Sequence, residues 1–293
     1  MSDKVNVVIA LGYFDCVHIG HRRVIESTIA LCKKLNCKPV VFTFDGNLRA
    51  LTKGDLSKRV YSLEERKAIL TGMGIKDFYI APTTKQFLAM DKRAFLDNLN
   101  EKFNIKAYVS GEDYRFGAMG SGNVDYLKEY AFNRGQTVVT VPMQSLNEKT
   151  VSTTYVKELL TQGKIEIANQ MLGDSYFVSG VVFRDRNLGS KIGFPTINVK
   201  IDEQKHHLKN GVYQGRIKLD KWYKAVINYG ARPTFNLSEK LLEAHIIGYD
   251  GDLYDKTVTV YFEKFIREIK TFNNADELKL QLKKDVEMVI KSK

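Results

Sequence analysis

The chain has 293 residues, enough for about two domains. Its 44% hydrophobic and 27% charged residues are ordinary globular usage, which excludes disordered, collagen-like and coiled-coil chains. Lys and Arg (45) outnumber Asp and Glu (34), and the excess runs through both halves without a basic block, which favours phosphorylated small molecules over nucleic acid or acidic lipid as partners.

The first apolar run, residues 5–11, is too short for a signal peptide or a membrane span, so a soluble cytoplasmic protein is expected. It reads as a strand. Residues 21–35 follow with apolar positions at helical spacing, then 38–44 as a strand and 63–73 as a helix. A strand at 78–81, a helix at 92–103, a strand at 107–110, a helix at 124–133 and a strand at 137–141 continue the alternation. Such alternation predicts right-handed crossovers and a parallel sheet, with ligands beyond the carboxyl ends of its strands. Two short helices, 154–162 and 165–172, lead to a change of period. Residues 176–183, 211–219, 222–228, 241–247 and 257–265 are β-rich and separated by turn residues, which predicts a small antiparallel barrel. A closing amphipathic helix begins at the N-cap Asn274 and presents Leu278, Leu282, Val286 and Val289 on one face. The expected fold is a Rossmann-like α/β domain, 1–174, followed by a β-barrel domain with a C-terminal helix, 175–293.

Cys16, Cys32 and Cys37 are odd in number and lack CxxC spacing, so neither a disulfide framework nor a zinc site is expected. Gly12 to His21 follow the first strand and open the first helix. His18 and His21 are three apart, so one helical turn presents both, while Gly20 allows close backbone approach and the helix start attracts anions. Elsewhere in a chain, such a pair is more often a surface feature or a chance metal site. Directly after a first strand ending in glycine, it suits the charge that moves along a triphosphate during nucleotidyl transfer.

These residues resemble the prokaryotic bifunctional riboflavin kinase/FAD synthetase family. Its Gly-x-Phe-Asp-Gly-x-His-x-Gly-His signature corresponds to Gly12, Phe14, Asp15, His18, Gly20 and His21. A Gly-x-Asp-Phe-x-Phe-Gly segment corresponds to Gly111 to Gly117, followed by Gly120 to Asn123, and a Ser-Ser-Thr-x-x-Arg motif to Ser152, Thr153, Thr154 and Lys157. The resemblance implies FMN adenylyltransferase activity, with an FMN phosphate oxygen attacking the α-phosphorus of ATP. His18 and His21 would hold phosphate oxygens, and Ser152, Thr153, Thr154 and Lys157 would receive the pyrophosphate. Asp113, Phe116 and Asn123 would lie at the flavin. Read alone, Ser152 to Thr154 is an ordinary helix cap.

The second half carries Gly193-Phe194-Pro195-Thr196-Ile197-Asn198, similar to the family's Gly-Phe-Pro-Thr-Ala-Asn, and Asn228 to Phe235 matches another family stretch. Without the family, Phe-Pro-Thr is a strand-edge turn and Glu243 a solvated strand residue. With it, Thr196 and Asn198 are expected at the ATP phosphates and Mg²⁺, Glu243 as the base for the ribityl hydroxyl, and Arg267 near the flavin.

Several positions depart from the family. Cys16 replaces a glycine, which predicts a loss of turn freedom, and reads as a small buried hydrophobe rather than a reactive thiol. Asp45-Gly46-Asn47-Leu48 replaces Asp-Pro-His-Pro and predicts a flexible loop, while Lys157 exchanges a bidentate fork for a point charge. Asp185, Leu188 and Ser190 stand where Gly and Arg residues are usual in a phosphate-covering loop that retains Arg184, Arg186 and Lys191. These changes make an FAD synthetase with a weak or silent kinase domain the alternative to a two-step enzyme. A flavin-binding regulator derived from the enzyme is a second alternative, and a nucleic-acid binder is supported by charge alone. The expected partners are nucleotides and flavins (ATP, riboflavin, FMN and FAD), with no nucleic acid or membrane, and the expected state is a monomer or weak homo-oligomer.

Overall fold

The computed structural model describes residues 4–48, 58–184, 193–231 and 240–292. They form two compact units, Met1–Thr153 and Thr154–Lys293.

The first unit is built on five parallel strands in the order β3-β2-β1-β4-β5. These are β1 (Asn6–Leu11), β2 (Lys38–Phe44), β3 (Asp77–Ala81), β4 (Asn104–Gly111) and β5 (Thr137–Val141). Strand side chains alternate between faces, and both faces are covered. Val7, Ile9 and Leu11 pack with Phe95, Leu96, Leu99 and Leu127, whereas Val8 and Ala10 pack with Val24, Ile25 and Leu70. The near-continuous apolar reading of β1 follows from this two-sided burial. The helices responsible are α1 (Ile19–Leu35), α2 (Leu63–Gly72), α4 (Lys92–Lys102) and α5 (Val124–Phe132), with the short α3 (Lys85–Leu88) before α4. The α2 helix starts in a full capping box, Ser62 with Glu65. From β1 the chain winds outward to β2 and β3, then crosses back to place β4 and β5 on the other side. The carboxyl ends of β1 and β4 therefore flank the topological switch point, where such sheets bind ligands. A two-stranded hairpin, β6 (Ser145–Leu146) and β7 (Lys149–Thr150), turns through Asn147 and Glu148, both at positive φ. Two strand residues on each side gave no readable alternation.

The second unit is a closed barrel in the order β10-β11-β12-β9-β8-β13. Its strands are β8 (Tyr176–Phe183), β9 (Ile197–Val199), β10 (Gly211–Lys218), β11 (Trp222–Ala231), β12 (Lys240–Ile246) and β13 (Thr257–Arg267), and every pairing is antiparallel. Five of the six match β-rich stretches of the sequence. The sixth, β9, is the Pro-Thr segment, whose three residues are too few for a period. Tyr213, Tyr229 and Phe262 fill the interior with edge-on contacts.

Helices α6 (Thr153–Gln162) and α7 (Ile165–Leu172) lie within the barrel unit apart from Thr153, although the sequence reading divides the chain after Asp174. Their bonds explain the grouping. Lys209 N–H donates to the Leu160 carbonyl at 3.0 Å, and the Asn169 amide joins the Phe262 carbonyl and the Tyr176 N–H at 2.8 and 2.7 Å. The closing helix α8 (Ala275–Lys291) has the expected Asn274 cap, with Val289 buried against Val212 and Val226.

Candidate functional site

The turn between β1 and α1 is held from below by buried polar contacts. Arg66, on α2, donates from Nη1 to the Tyr13 carbonyl at 2.9 Å and the Thr43 hydroxyl at 3.1 Å, and from Nη2 to the Phe44 carbonyl at 2.9 Å. Thr43 also donates to the Tyr13 carbonyl at 2.7 Å. Asp15 is buried and accepts the Val60 N–H at 3.1 Å, so it positions the turn instead of facing solvent. Sequence reasoning missed Arg66, because a helical arginine looks solvated until the ends of β1 and β2 are placed around it.

Phe14 and Val17 adopt left-handed backbone conformations, φ 53° and 43°, and both are buried. For a β-branched residue such as Val17 this is strained and persists only where the surroundings over-determine it. Cys16 is not among the positive-φ residues, so the expected cost of replacing the family's glycine there is not taken in its own backbone. Gly12 lies under the Phe14 ring, where a Cβ would approach to 2.7 Å. At Gly20 a Cβ would sit 3.2 Å from the His18 ring, so this glycine makes room for an imidazole.

His18 is the N-cap of α1, and its Nδ1 accepts the His21 N–H at 3.1 Å. In a neutral ring that bond places the proton on Nε2, which is then a donor. The two imidazoles stack, 3.7 Å between centroids and 7° from parallel. Burial lowers the His18 pKa to about 4, and burial together with the neighbouring His18 holds His21 well below its usual 6.5. Both are therefore neutral near pH 7 and offer N–H dipoles to an anion. No acidic residue occupies the first turn of α1, so the positive end of the helix is not neutralised. Cys16 Sγ lies 3.3 Å from Thr153 Oγ1, which brings the Ser152-Thr153 segment beside this turn. Gln144, ahead of the β6–β7 hairpin, approaches Gly20 and was not foreseen. Thr154 and Lys157 follow on α6, where the Lys157 carbonyl meets His206 Nε2 at 3.0 Å.

The Asp45-Gly46 loop is tied down, contrary to the expected flexibility. Tyr13 donates its hydroxyl to the Gly46 carbonyl at 2.9 Å, Gly46 N–H donates to Thr83 Oγ1 at 2.8 Å, and Asp45 accepts Thr83 N–H at 2.8 Å. Beyond β4, Asp113 and Asn123 line a cavity with Glu112, Arg115, Asp125 and Lys128. Asn123 also caps α5, accepting the Tyr126 N–H at 2.9 Å. Phe116 is only 5% exposed, packed against Phe95 and Tyr114, and forms a floor instead of an open stacking ring.

The barrel presents a second constellation. Register sets Glu243 of β12 opposite Asn198 of β9 on one side and Asn228 of β11 on the other, so all three project from one face. Thr196 donates its hydroxyl to Glu243 Oε1 at 2.6 Å. His245 faces the same segment, with Nδ1 2.8 Å from the Pro195 carbonyl and its ring edge-on to Phe194. Asn228 and His245 are additions that only strand register reveals. Arg267 is engaged elsewhere. Its guanidinium grips the buried Asp285 of α8, with Nη2–Oδ2 at 2.6 Å and Nε at 3.1 and 3.2 Å from the two oxygens. Nη1 also donates to the Glu268 carbonyl at 3.0 Å, so the fork is first of all a fastening for α8. Asp185, Arg186, Leu188, Ser190 and Lys191, and Arg232 to Phe235, lie outside the described residues.

A parallel α/β unit with paired imidazoles at its switch point, joined to a barrel with a threonine–carboxylate pair on its wall, defines a two-site transferase. The FAD synthetase family profile matches residues 1–155 and the riboflavin kinase profile residues 172–292. The bifunctional riboflavin kinase/FMN adenylyltransferase of Buchnera aphidicola subsp. Schizaphis graminum is 30% identical over 98% of this chain and 94% of its own. That of Listeria monocytogenes is 29% identical over 96% and 90%. The chain belongs to the bifunctional riboflavin kinase/FMN adenylyltransferase family. A crystal structure described as a macrolide-efflux protein from Streptococcus pneumoniae superposes with a TM-score of 0.89 and 27% identity, covering 99% of this chain and 97% of that one. Efflux is said of that protein. Among the described residues here, no helix is long and apolar enough to cross a membrane.

Proposed function

We propose that the chain makes FMN from riboflavin and FAD from FMN, each with ATP, at two separate sites. The observation that carries the reading is the neutral His18–His21 stack at the start of α1, with His18 Nδ1 occupied and Nε2–H free to donate. In the adenylyl transfer, an FMN phosphate oxygen forms a bond to the α-phosphorus of ATP. The bond from that phosphorus to the bridging oxygen breaks, and pyrophosphate leaves. No covalent enzyme intermediate is needed, so catalysis is positioning and charge stabilisation. His18, His21 and the N–H groups of α1 meet the phosphates, and Ser152 and Thr153, the latter beside Cys16 of the same turn, receive the leaving pyrophosphate. Asp113 and Asn123 border the flavin.

In the kinase step, the ribityl 5′-hydroxyl attacks the γ-phosphorus, ADP leaves, and Glu243 takes the hydroxyl proton. Thr196 orients the carboxylate through their hydrogen bond. The hydroxyl of Thr196 and the amide of Asn198 beside Glu243 are hard oxygen donors, a set that fits Mg²⁺. When bound, that ion would neutralise phosphate charge. The substitutions favouring a silent kinase, Asp185, Leu188 and Ser190, lie outside the described residues. The even spread of the basic excess supports small-molecule substrates over nucleic acid, and the chain is proposed to act in the cytoplasm as a monomer or weak homo-oligomer. The test is a chromatographic flavin assay with MgATP, started in parallel from riboflavin and from FMN. FAD from both is expected; neither product from either would overturn the reading.

A further inference from the structure

We propose that Cys16, His18 and His21 form a binding site for a thiophilic metal ion of the zinc type. One ligand atom from each residue lies within 4.8 Å of the other two, an arrangement that the sequence, lacking CxxC spacing, did not announce. In tetrahedral zinc, with bonds of about 2.0–2.3 Å, neighbouring ligand atoms are about 3.3–3.6 Å apart. The widest separation therefore closes by at most about 1.2–1.5 Å, and a rotation of either imidazole out of the stack turns parallel rings into converging ligands.

Two features of the surroundings favour an occupant. His21 Nδ1 is buried with no hydrogen-bond partner, a cost that a ligand bond would remove. The Cys16 thiol meets the Thr153 hydroxyl at 3.3 Å, and that hydroxyl can turn to donate to the thiolate once the metal displaces the thiol proton. Cys16 is 1% exposed and His18 8%, so the cluster is largely screened from water.

One thiolate and two imidazoles select zinc-like ions over Mg²⁺, which prefers oxygen ligands, so this site is distinct from the Thr196–Asn198 set. The family's glycine at position 16 carries no ligand; the cysteine supplies the sulfur in this chain. Three protein ligands leave a fourth position open. To ligate, His18 gives up the bond that its Nδ1 accepts from the His21 N–H, because ligation through Nε2 moves the ring proton to Nδ1 and ligation through Nδ1 uses the accepting lone pair. If His18 and His21 also hold ATP phosphates, a clause that rests on the proposed function, metal and nucleotide compete for the same nitrogens.

The test is titration of the reduced, full-length protein with Co²⁺ in the absence of oxygen. One equivalent per chain is expected, with a thiolate-to-cobalt charge-transfer band that Zn²⁺ abolishes. Cys16→Ser should remove the band and weaken Zn²⁺ binding at least tenfold in chelator competition, whereas Cys32→Ser and Cys37→Ser should keep both. No band, or a band that survives Cys16→Ser, would overturn the site. Should Cys16→Ser misfold, X-ray absorption on the zinc-loaded natural protein decides: a shell of one sulfur and two imidazole nitrogens is expected, and a shell without sulfur overturns the proposal. MgATP should strip Co²⁺ from the protein; a band unchanged by saturating MgATP would leave the metal site standing and overturn the shared phosphate role of the histidines.

Discussion

Thr196 and Glu243 are 47 residues apart in sequence, yet the threonine hydroxyl donates to the carboxylate at 2.6 Å. The contact exists because β9 and β12 pair antiparallel with Asn198 opposite Glu243. One strand pairing thus gathers an acid, a hydroxyl and an amide on a single patch of barrel wall.

If Glu243 is the base, Glu243→Gln keeps the shape and removes the proton acceptor. Riboflavin phosphorylation should fall by about 10²–10⁴-fold while FAD formation from FMN is unchanged. An unchanged kinase rate would take Glu243 out of the mechanism.

If His18 and His21 are the phosphate donors of the other site, His21→Ala removes one of the two and leaves the barrel's own residues unchanged. FAD formation from FMN should drop by about 10²-fold or more, with FMN formation preserved. Parallel loss of both activities would contradict two independent sites.

Stability should depend on pH through the same histidines. His18 has a folded pKa of about 4 against 6.5 for the free side chain, so between those values the unfolded chain binds more protons. Its contribution is fully present above pH 6.5 and is lost as pH falls toward 4, on the order of 3 kcal/mol at most. His21 shifts in the same direction. Denaturant melts from pH 8 to pH 4 should show this slope, and His18→Asn should flatten it.

Arg66→Met would leave the Tyr13 and Phe44 carbonyls and the Thr43 hydroxyl without their charged donor. A loss on the order of 3 kcal/mol is expected in urea unfolding, together with a raised KM for ATP in adenylyl transfer and an unaltered kinase. Unchanged unfolding would show that the turn holds itself.

Asp285→Ala strands the Arg267 guanidinium, which is itself largely buried. Removing one partner of such a pair costs about 3–5 kcal/mol, so a lowered melting temperature is the expected result. Riboflavin binding that weakens in Arg267→Lys, with stability intact, would return Arg267 to the flavin.

Much of this molecule was legible along the chain. Alternating strand and helix periods gave the parallel sheet, apolar Val5 to Leu11 marked its first strand, and Asn274 announced the last helix. His18 and His21 were visible because three residues make almost one helical turn and a strand followed by Gly12 precedes them. These features are local, fixed by spacing and backbone preference.

Tertiary structure decided the rest. Only packing shows that Arg66 braces the Tyr13 turn, that Phe116 is a floor, that Arg267 is spent on Asp285, and that Cys16 sits beside two imidazoles. Each depends on contacts between segments distant in sequence, where burial changes what a side chain does: a buried cation must find acceptors, and a buried imidazole gives up its charge. Residue type and spacing determine which groups are present; the solvent and neighbours that set their chemistry arise only when the chain closes around them.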